Sequence, residues 1–180
     1  MRLPPLPGEQ WTEEERAALG VLLPEHLINP RGAGNALSTL VRNPRLTKRF
    51  LPFSGYMMMR STLPPRLREL AVLRVARLRD CAYEWTEHVK LAAKAGLSED
   101  EIEAAGRGEA AGELESAVLR AVAELHGDST VSDATWAVLG EHLDERQLID
   151  LVFTVGTYAM LAMAFNTFGV EPDEPTDRRL

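Results

Sequence analysis

The run Arg66-Leu67-Arg68-Glu69-Leu70-Ala71-Val72-Leu73-Arg74-Val75-Ala76-Arg77-Leu78 reads as a helix and not as a strand. Its residues Leu67, Leu70, Ala71, Val75 and Leu78 recur every three or four positions, which places them on one helical stripe. The same period returns at Leu114, Val118, Ala121, Val122 and Leu125. Helix-start signals punctuate the rest of the chain. Thr12 with Glu15 and Ser98 with Glu101 are capping boxes, in which the first side chain accepts from an amide and the glutamate reaches back. Asp144 with Gln147 repeats that logic, and Asn43-Pro44 is a cap followed by a proline at the first helical position. No window alternates apolar and polar residues with the β-branched content of a strand. The expected fold class is therefore all-α, with helices near 13–20, 34–42, 44–60, 64–78, 81–95, 99–106, 113–126, 132–141 and 145–168. Pro52 is expected to kink or restart the third of these.

The 180 residues are read as a single domain, because neither side of the small-residue connector 106–112 carries a complete core of its own. Residues 1–10 and 172–180, rich in proline or charge, are expected to be loosely ordered. The apolar run 151–165 is too short for a membrane span of about 20 residues and is read as a buried core helix. A net charge of -7 argues against a nucleic-acid groove or an anionic membrane as partner, since both require clustered positive potential. One cysteine permits no internal disulfide, and the proline-broken start Met1 to Pro7 lacks the apolar run of a signal peptide. A cytoplasmic location is the expectation.

That one cysteine opens the sequence Cys81-Ala82-Tyr83-Glu84-Trp85-Thr86-Glu87-His88. On a helix Cys81, Glu84 and His88 stand at i, i+3 and i+7, so a thiol, a carboxyl and an imidazole share one face. Such a set can hold a nucleophile beside proton carriers. Asp80 is expected to cap this helix, which places the thiol in the first turn, where unpaired amides favour the thiolate. Arg77 and Arg79 push the same way, and Asp80 and Glu84 push back. A packed, unreactive cysteine fits the same spacing. Three donors on one helix with no second cluster argue against a metal site, and no cofactor signature is present: there is no Walker sequence, dinucleotide fingerprint or nucleophile-elbow serine. Arg66, Arg68, Arg74, Arg77 and Arg79 read as a solvated face balanced by acidic neighbours in preference to a rim for an anionic substrate. Met57, Met58 and Met59 read as filler of a core or a subunit contact.

Leu63-Pro64-Pro65-Arg66-Leu67-Arg68-Glu69-Leu70, followed by the Cys81–His88 run and then Ala95-Gly96-Leu97-Ser98, resembles the carboxymuconolactone decarboxylase family, which includes the AhpD-type alkylhydroperoxidases. The likeness is clearest over residues 63–106 and extends through the final helix. It implies an all-α fold with the motif on a helical hairpin, a homo-oligomer (trimer or multiple, or dimer), and active sites near subunit contacts. It also implies that Glu69, Cys81 and His88 match the glutamate, first cysteine and histidine of the AhpD proton relay. Glu84 stands where that branch has its second cysteine, and Tyr83 where it has a relay histidine. The decarboxylase branch resembles this chain in the Glu84/His88 pair and lacks the cysteine.

Three functions follow as expectations. The first is thiol-dependent hydroperoxide reduction, peroxiredoxin-like, in which Cys81 becomes a sulfenic acid and an external thiol supplies the reductant, because the chain has no second cysteine. The second is cofactor-free decarboxylation or proton transfer on a small carboxylated lactone or related acid through Glu84 and His88. The third is a non-catalytic oligomeric helical protein.

Overall fold

The computed structural model describes residues 1–174, and the part of the expected loose C-terminal segment from 175 to 180 lies outside the described residues. Among the described residues all regular structure is helical, as the residue pattern requires: α1 (Glu13–Leu19), α2 (Pro30–Leu40), α3 (Pro44–Met59), α4 (Pro65–Leu78), α5 (Ala82–Lys94), α6 (Glu99–Arg107), α7 (Glu113–Asp128), α8 (Asp133–His142) and α9 (Glu145–Phe168). Both capping boxes form, with Thr12 and Ser98 each accepting from the first turn and donating to Glu15 and Glu101. Asp144 and Gln147 exchange hydrogen bonds at 2.9 and 3.0 Å.

Two local expectations shift. α2 starts four residues early because Asn29 caps it and Pro30 takes its first position, and a kink follows at Gly34, whose φ of 66° and ψ of -176° suit only glycine. α3 continues through Pro52 and does not restart there.

The residues group into two compact units, Met1–Arg60 with the segment from Ala164 onward, and Ser61–Met163. In the first unit Trp11, Leu19, Leu23, Val41 and Leu51 centre the core, with Leu6, Leu22, Leu37 and Phe50 packed against it. The proline-rich start is tethered: Leu6 donates its amide to Ser38, Arg2 and Leu3 donate theirs to Phe168, and the Trp11 indole donates to the Leu6 carbonyl at 2.9 Å. At the other end of the chain the Asn35 amide donates to Asp173 at 2.7 Å. Proline content alone does not reveal such anchors.

In the second unit α4 is the central element and packs on α5, α6 and α7, while α7 packs on α8. The apolar stripes read from the sequence account for this: Leu67, Leu70, Ala71 and Val75 of α4 and Val118, Ala121 and Val122 of α7 are all buried. Glu124 ties α7 to α8 by accepting from the Ser132 amide, the Ser132 hydroxyl and the Thr135 hydroxyl. The arginines of α4 do not form a free cationic rim. Arg66 pairs with Glu101 and Glu115, Arg68 with Glu69, and Arg77 with Glu103, while Arg74 donates to the Gly106 carbonyl.

The apolar run expected to end at residue 165 belongs to a 24-residue helix, α9, which by length and composition alone is long and apolar enough to cross a membrane. Only one of its faces is buried. Leu148, Leu151, Val155, Tyr158 and Leu161 are inside, as expected of a core helix, whereas Ile149, Phe153, Met160 and Met163 on its other side are each about half exposed. Asp150 holds the start of the helix by accepting from the amide and hydroxyl of Thr62.

Candidate functional site

The turn between α4 and α5 sets the position of the thiol. Asp80 does not cap α5 as expected. It adopts a left-handed conformation, φ 49°, and closes α4 instead: its amide donates to Arg77 and the next amide, that of Cys81, donates to Ala76 at 2.9 Å. This is a Schellman ending, with aspartate at the position glycine usually takes, and it makes Cys81 itself the N-cap residue of α5. The amides of Tyr83 and Glu84 then face the sulfur and favour its anion.

They are outweighed. Burial, and after it the charge of Glu84, push the Cys81 thiol up to about 12. Arg77 gives no help, because its guanidinium stacks on the Trp85 ring at 3.8 Å. Cys81 is 2% exposed, so in the resting chain it is a buried neutral thiol.

Glu84 and His88 lie one turn apart on the buried face of α5, as the spacing predicts. Burial raises Glu84 to about 8 against a contact with the Cys81 thiol that lowers it, and neither carboxyl oxygen meets a hydrogen-bond partner of good geometry. At neutral pH this carboxyl keeps its proton.

Glu69, from the inward side of α4, is wholly buried. Burial alone would raise its pKa, but the hydrogen bond and charge of His88 and the charge of Arg68 more than offset it, so Glu69 is ionised below the usual carboxylate range. Its Oε2 lies 2.7 Å from His88 Nδ1 and its Oε1 accepts from Arg68 Nε at 3.0 Å. An ionised carboxylate only accepts, so His88 Nδ1 carries a proton and Nε2 is the nitrogen left for chemistry.

One member was missed from the sequence. Tyr158 of α9 meets the His88 ring edge-on, with centroids 4.8 Å apart. Its phenol is raised by burial first and then by the charges of Glu69 and Glu84, which shows that it shares their neighbourhood. Its signal was faint: a hydroxyl-bearing aromatic beside Thr154 and Thr157 in an otherwise apolar run.

The four sequence-predicted residues thus form two adjoining pairs, Glu69 with His88 and Cys81 with Glu84. Among the described residues no group of three or more histidine, cysteine or acidic side chains is arranged to hold a metal ion.

Residues 44–127 match the model of the carboxymuconolactone decarboxylase family. No curated protein matches the chain. Several solved structures share its fold. A peroxidase-related protein from Silicibacter sp. TM1040, uncharacterized, is 17% identical with a TM-score of 0.70, covering 77% of this chain and 76% of its own. A protein of unknown function from Agrobacterium tumefaciens, named for AhpD-type antioxidant defence, is 21% identical with a TM-score of 0.65, covering 74% and 94%. An alkylhydroperoxidase AhpD core from Ralstonia eutropha JMP134, an uncharacterized peroxidase-related protein, is 16% identical with a TM-score of 0.74, covering 97% and 94%. The resemblance read from residues 63–106 is therefore borne out as a carboxymuconolactone decarboxylase family match over residues 44–127, carried on an AhpD-like all-helical fold.

Proposed function

We propose that the protein is a thiol-dependent hydroperoxide reductase that uses Cys81 as nucleophile. One observation carries this reading: a carboxyl, Glu84, is kept buried without hydrogen-bond partners beside the only thiol. Such a group costs stability and is accounted for by a task of accepting protons. In the reaction Glu84, as carboxylate, takes the thiol proton while Sγ attacks the terminal oxygen of the hydroperoxide. The O–O bond breaks, the alkoxide leaves and is protonated to the alcohol, and the sulfur is oxidised to a sulfenic acid. Two equivalents of an external thiol then return Cys81 to its reduced form, releasing water and a disulfide. The proton taken by Glu84 returns to the leaving oxygen by way of His88 Nε2, which first accepts it and which Glu69 orients, so Glu84 and His88 both end the step in their starting forms. Because Cys81 is 2% exposed, the packing at the α4–α5 junction opens for substrate to enter.

The pH dependence follows from Glu84. Its base form is present above about 8, so turnover of an alkyl hydroperoxide with added thiol rises from pH 6 and levels beyond about 8. Cys81→Ser abolishes turnover and Glu84→Gln removes the rise. Equal rates for Cys81→Ser and the parent chain would remove the proposal.

A second reading has its own supporting observation, since a thiol held at about 12 is a weak nucleophile source at neutral pH. There, protonated Glu84 and carboxylate-oriented His88 act as acid and base on a small carboxylated lactone or related acid. Cys81→Ala then leaves activity intact while His88→Ala abolishes it.

The exposed stripe Ile149, Phe153, Met160 and Met163 on α9 supports self-association, since isolated chains seldom expose aligned apolar residues on one helix face. Phe153→Glu is expected to lower the mass measured by light scattering to that of a smaller species; an unchanged mass would take α9 out of the contact.

A further inference from the structure

The relay from Glu84 to His88 has a gap. Both side chains lie on the buried face of α5, yet neither Glu84 oxygen meets a hydrogen-bond partner of good geometry, so no hydrogen bond joins the carboxyl to the imidazole. Nδ1 of His88 is taken by Glu69 at 2.7 Å, which leaves Nε2 as the nitrogen to receive a proton from Glu84. Such a transfer needs hydrogen-bond reach, either direct or through one group that accepts and donates together. A hydroxyl can do both, whereas a carboxylate only accepts and an ammonium only donates.

Tyr158 of α9 brings a hydroxyl to this place. Its side chain is 5% exposed and packs edge-on against His88, with the two ring planes 88° apart. The phenol is raised first by burial and then by the charges of Glu69 and Glu84, so it lies in the field of one carboxyl from each pair and keeps its proton at neutral and mildly alkaline pH. Packing alone does not call for the oxygen. Phe165, two turns along the inward face of α9, is equally buried without a hydroxyl, and Leu151, Val155 and Leu161 on that face are aliphatic. A phenol buried here gives up hydration that a phenylalanine would not lose.

We infer that the Tyr158 hydroxyl is the bridge that carries the proton from Glu84 to Nε2 of His88, an assignment that rests on the thiol chemistry proposed above. Once the thiol proton has reached Glu84, this acid passes it to the Tyr158 oxygen as the phenolic proton moves to Nε2. The imidazolium so formed faces the Glu69 carboxylate through Nδ1 and gives its Nε2 proton to the oxygen that leaves when the O–O bond breaks. Tyr158 is neither ionised nor oxidised, and Glu84, Tyr158 and His88 all return to their starting forms.

The basicity of the leaving oxygen separates a proton bridge from packing. Cumene hydroperoxide expels a strongly basic alkoxide that needs a proton, whereas peroxybenzoic acid expels a weakly basic carboxylate that needs none. Single-turnover consumption of each peroxide is measured at one pH for the parent chain, Tyr158→Phe and Cys81→Ser. Tyr158→Phe keeps the ring against His88 and removes only the hydroxyl, so its melting temperature is expected to stay or rise. It is expected to slow cumene hydroperoxide by about 10²-fold and peroxybenzoic acid by no more than about threefold. Equal slowing of the two peroxides, or slowing of neither, with Cys81→Ser inert, would overturn the bridge and leave the thiol chemistry standing. Turnover by Cys81→Ser equal to that of the parent would remove the thiol chemistry itself, and the bridge with it.

Discussion

Glu84→Gln stabilises the protein at alkaline pH and does little near pH 4. Between the ordinary carboxyl pKa of 4.5 and about 8 the unfolded chain has released the Glu84 proton while the folded chain retains it. Stability supplied by the neutral, buried carboxyl is therefore complete below 4.5, falls as pH rises, and is lost once pH passes about 8. With each tenfold in proton affinity worth about 1.4 kcal/mol, the window spans on the order of 4–5 kcal/mol. The glutamine carries no proton to lose, so the stability difference between variant and parent grows by about that amount from pH 4 to 9. Urea unfolding at a series of pH values measures it. A flat difference would mean that Glu84 is solvated or paired and is not the uncompensated acid described here.

Glu69→Ala is expected to cost about 3–5 kcal/mol, because it leaves the buried His88 and the partly buried Arg68 without the carboxylate that both contact. Glu69→Gln keeps the shape and separates packing from charge. Turnover falls by about 10²–10⁴, the range for a mispositioned proton carrier. The pH dependence of stability changes at the opposite end from Glu84. Glu69 is held below its unfolded pKa, so its contribution is present above about 4.5 and is lost as pH falls through the folded value. Glu69→Gln therefore flattens the acid limb of the stability curve. If that limb is unaltered and turnover is retained, the Glu69–His88 contact has no positioning role.

The helices were legible in the sequence because their starts are local. A capping box such as Ser98/Glu101, or a cap followed by proline as at Asn43-Pro44, needs only three or four consecutive residues. The start of α2 escaped for a complementary reason: Asn29-Pro30 is the same signal, but the glycines at 32 and 34 weaken the helical pattern that follows it. The Glu84/His88 face of α5 followed from spacing, and the matching of Glu69 from family resemblance. The direction of the thiol shift did not. It depends on burial and on where Arg77 points, and Arg77 is occupied by Trp85 and Glu103. Asp80 was misread because an aspartate before a helix is usually its cap, whereas here the preceding helix needed a left-handed residue to end. Tyr158 arrives 70 positions after His88, from a helix whose inward face no local pattern specifies.

Trapping of Cys81 as a sulfenic acid by a dimedone-type reagent, quantified by mass spectrometry during alkyl hydroperoxide consumption, addresses the proposed chemistry most directly. The account predicts one trapped sulfenic acid per peroxide consumed in a single turnover, with a pH midpoint near the value of about 8 held by Glu84 and absent from Glu84→Gln. Peroxide consumed without modification of Cys81, or a buried thiol that stays reduced at every pH while peroxide persists, would contradict it.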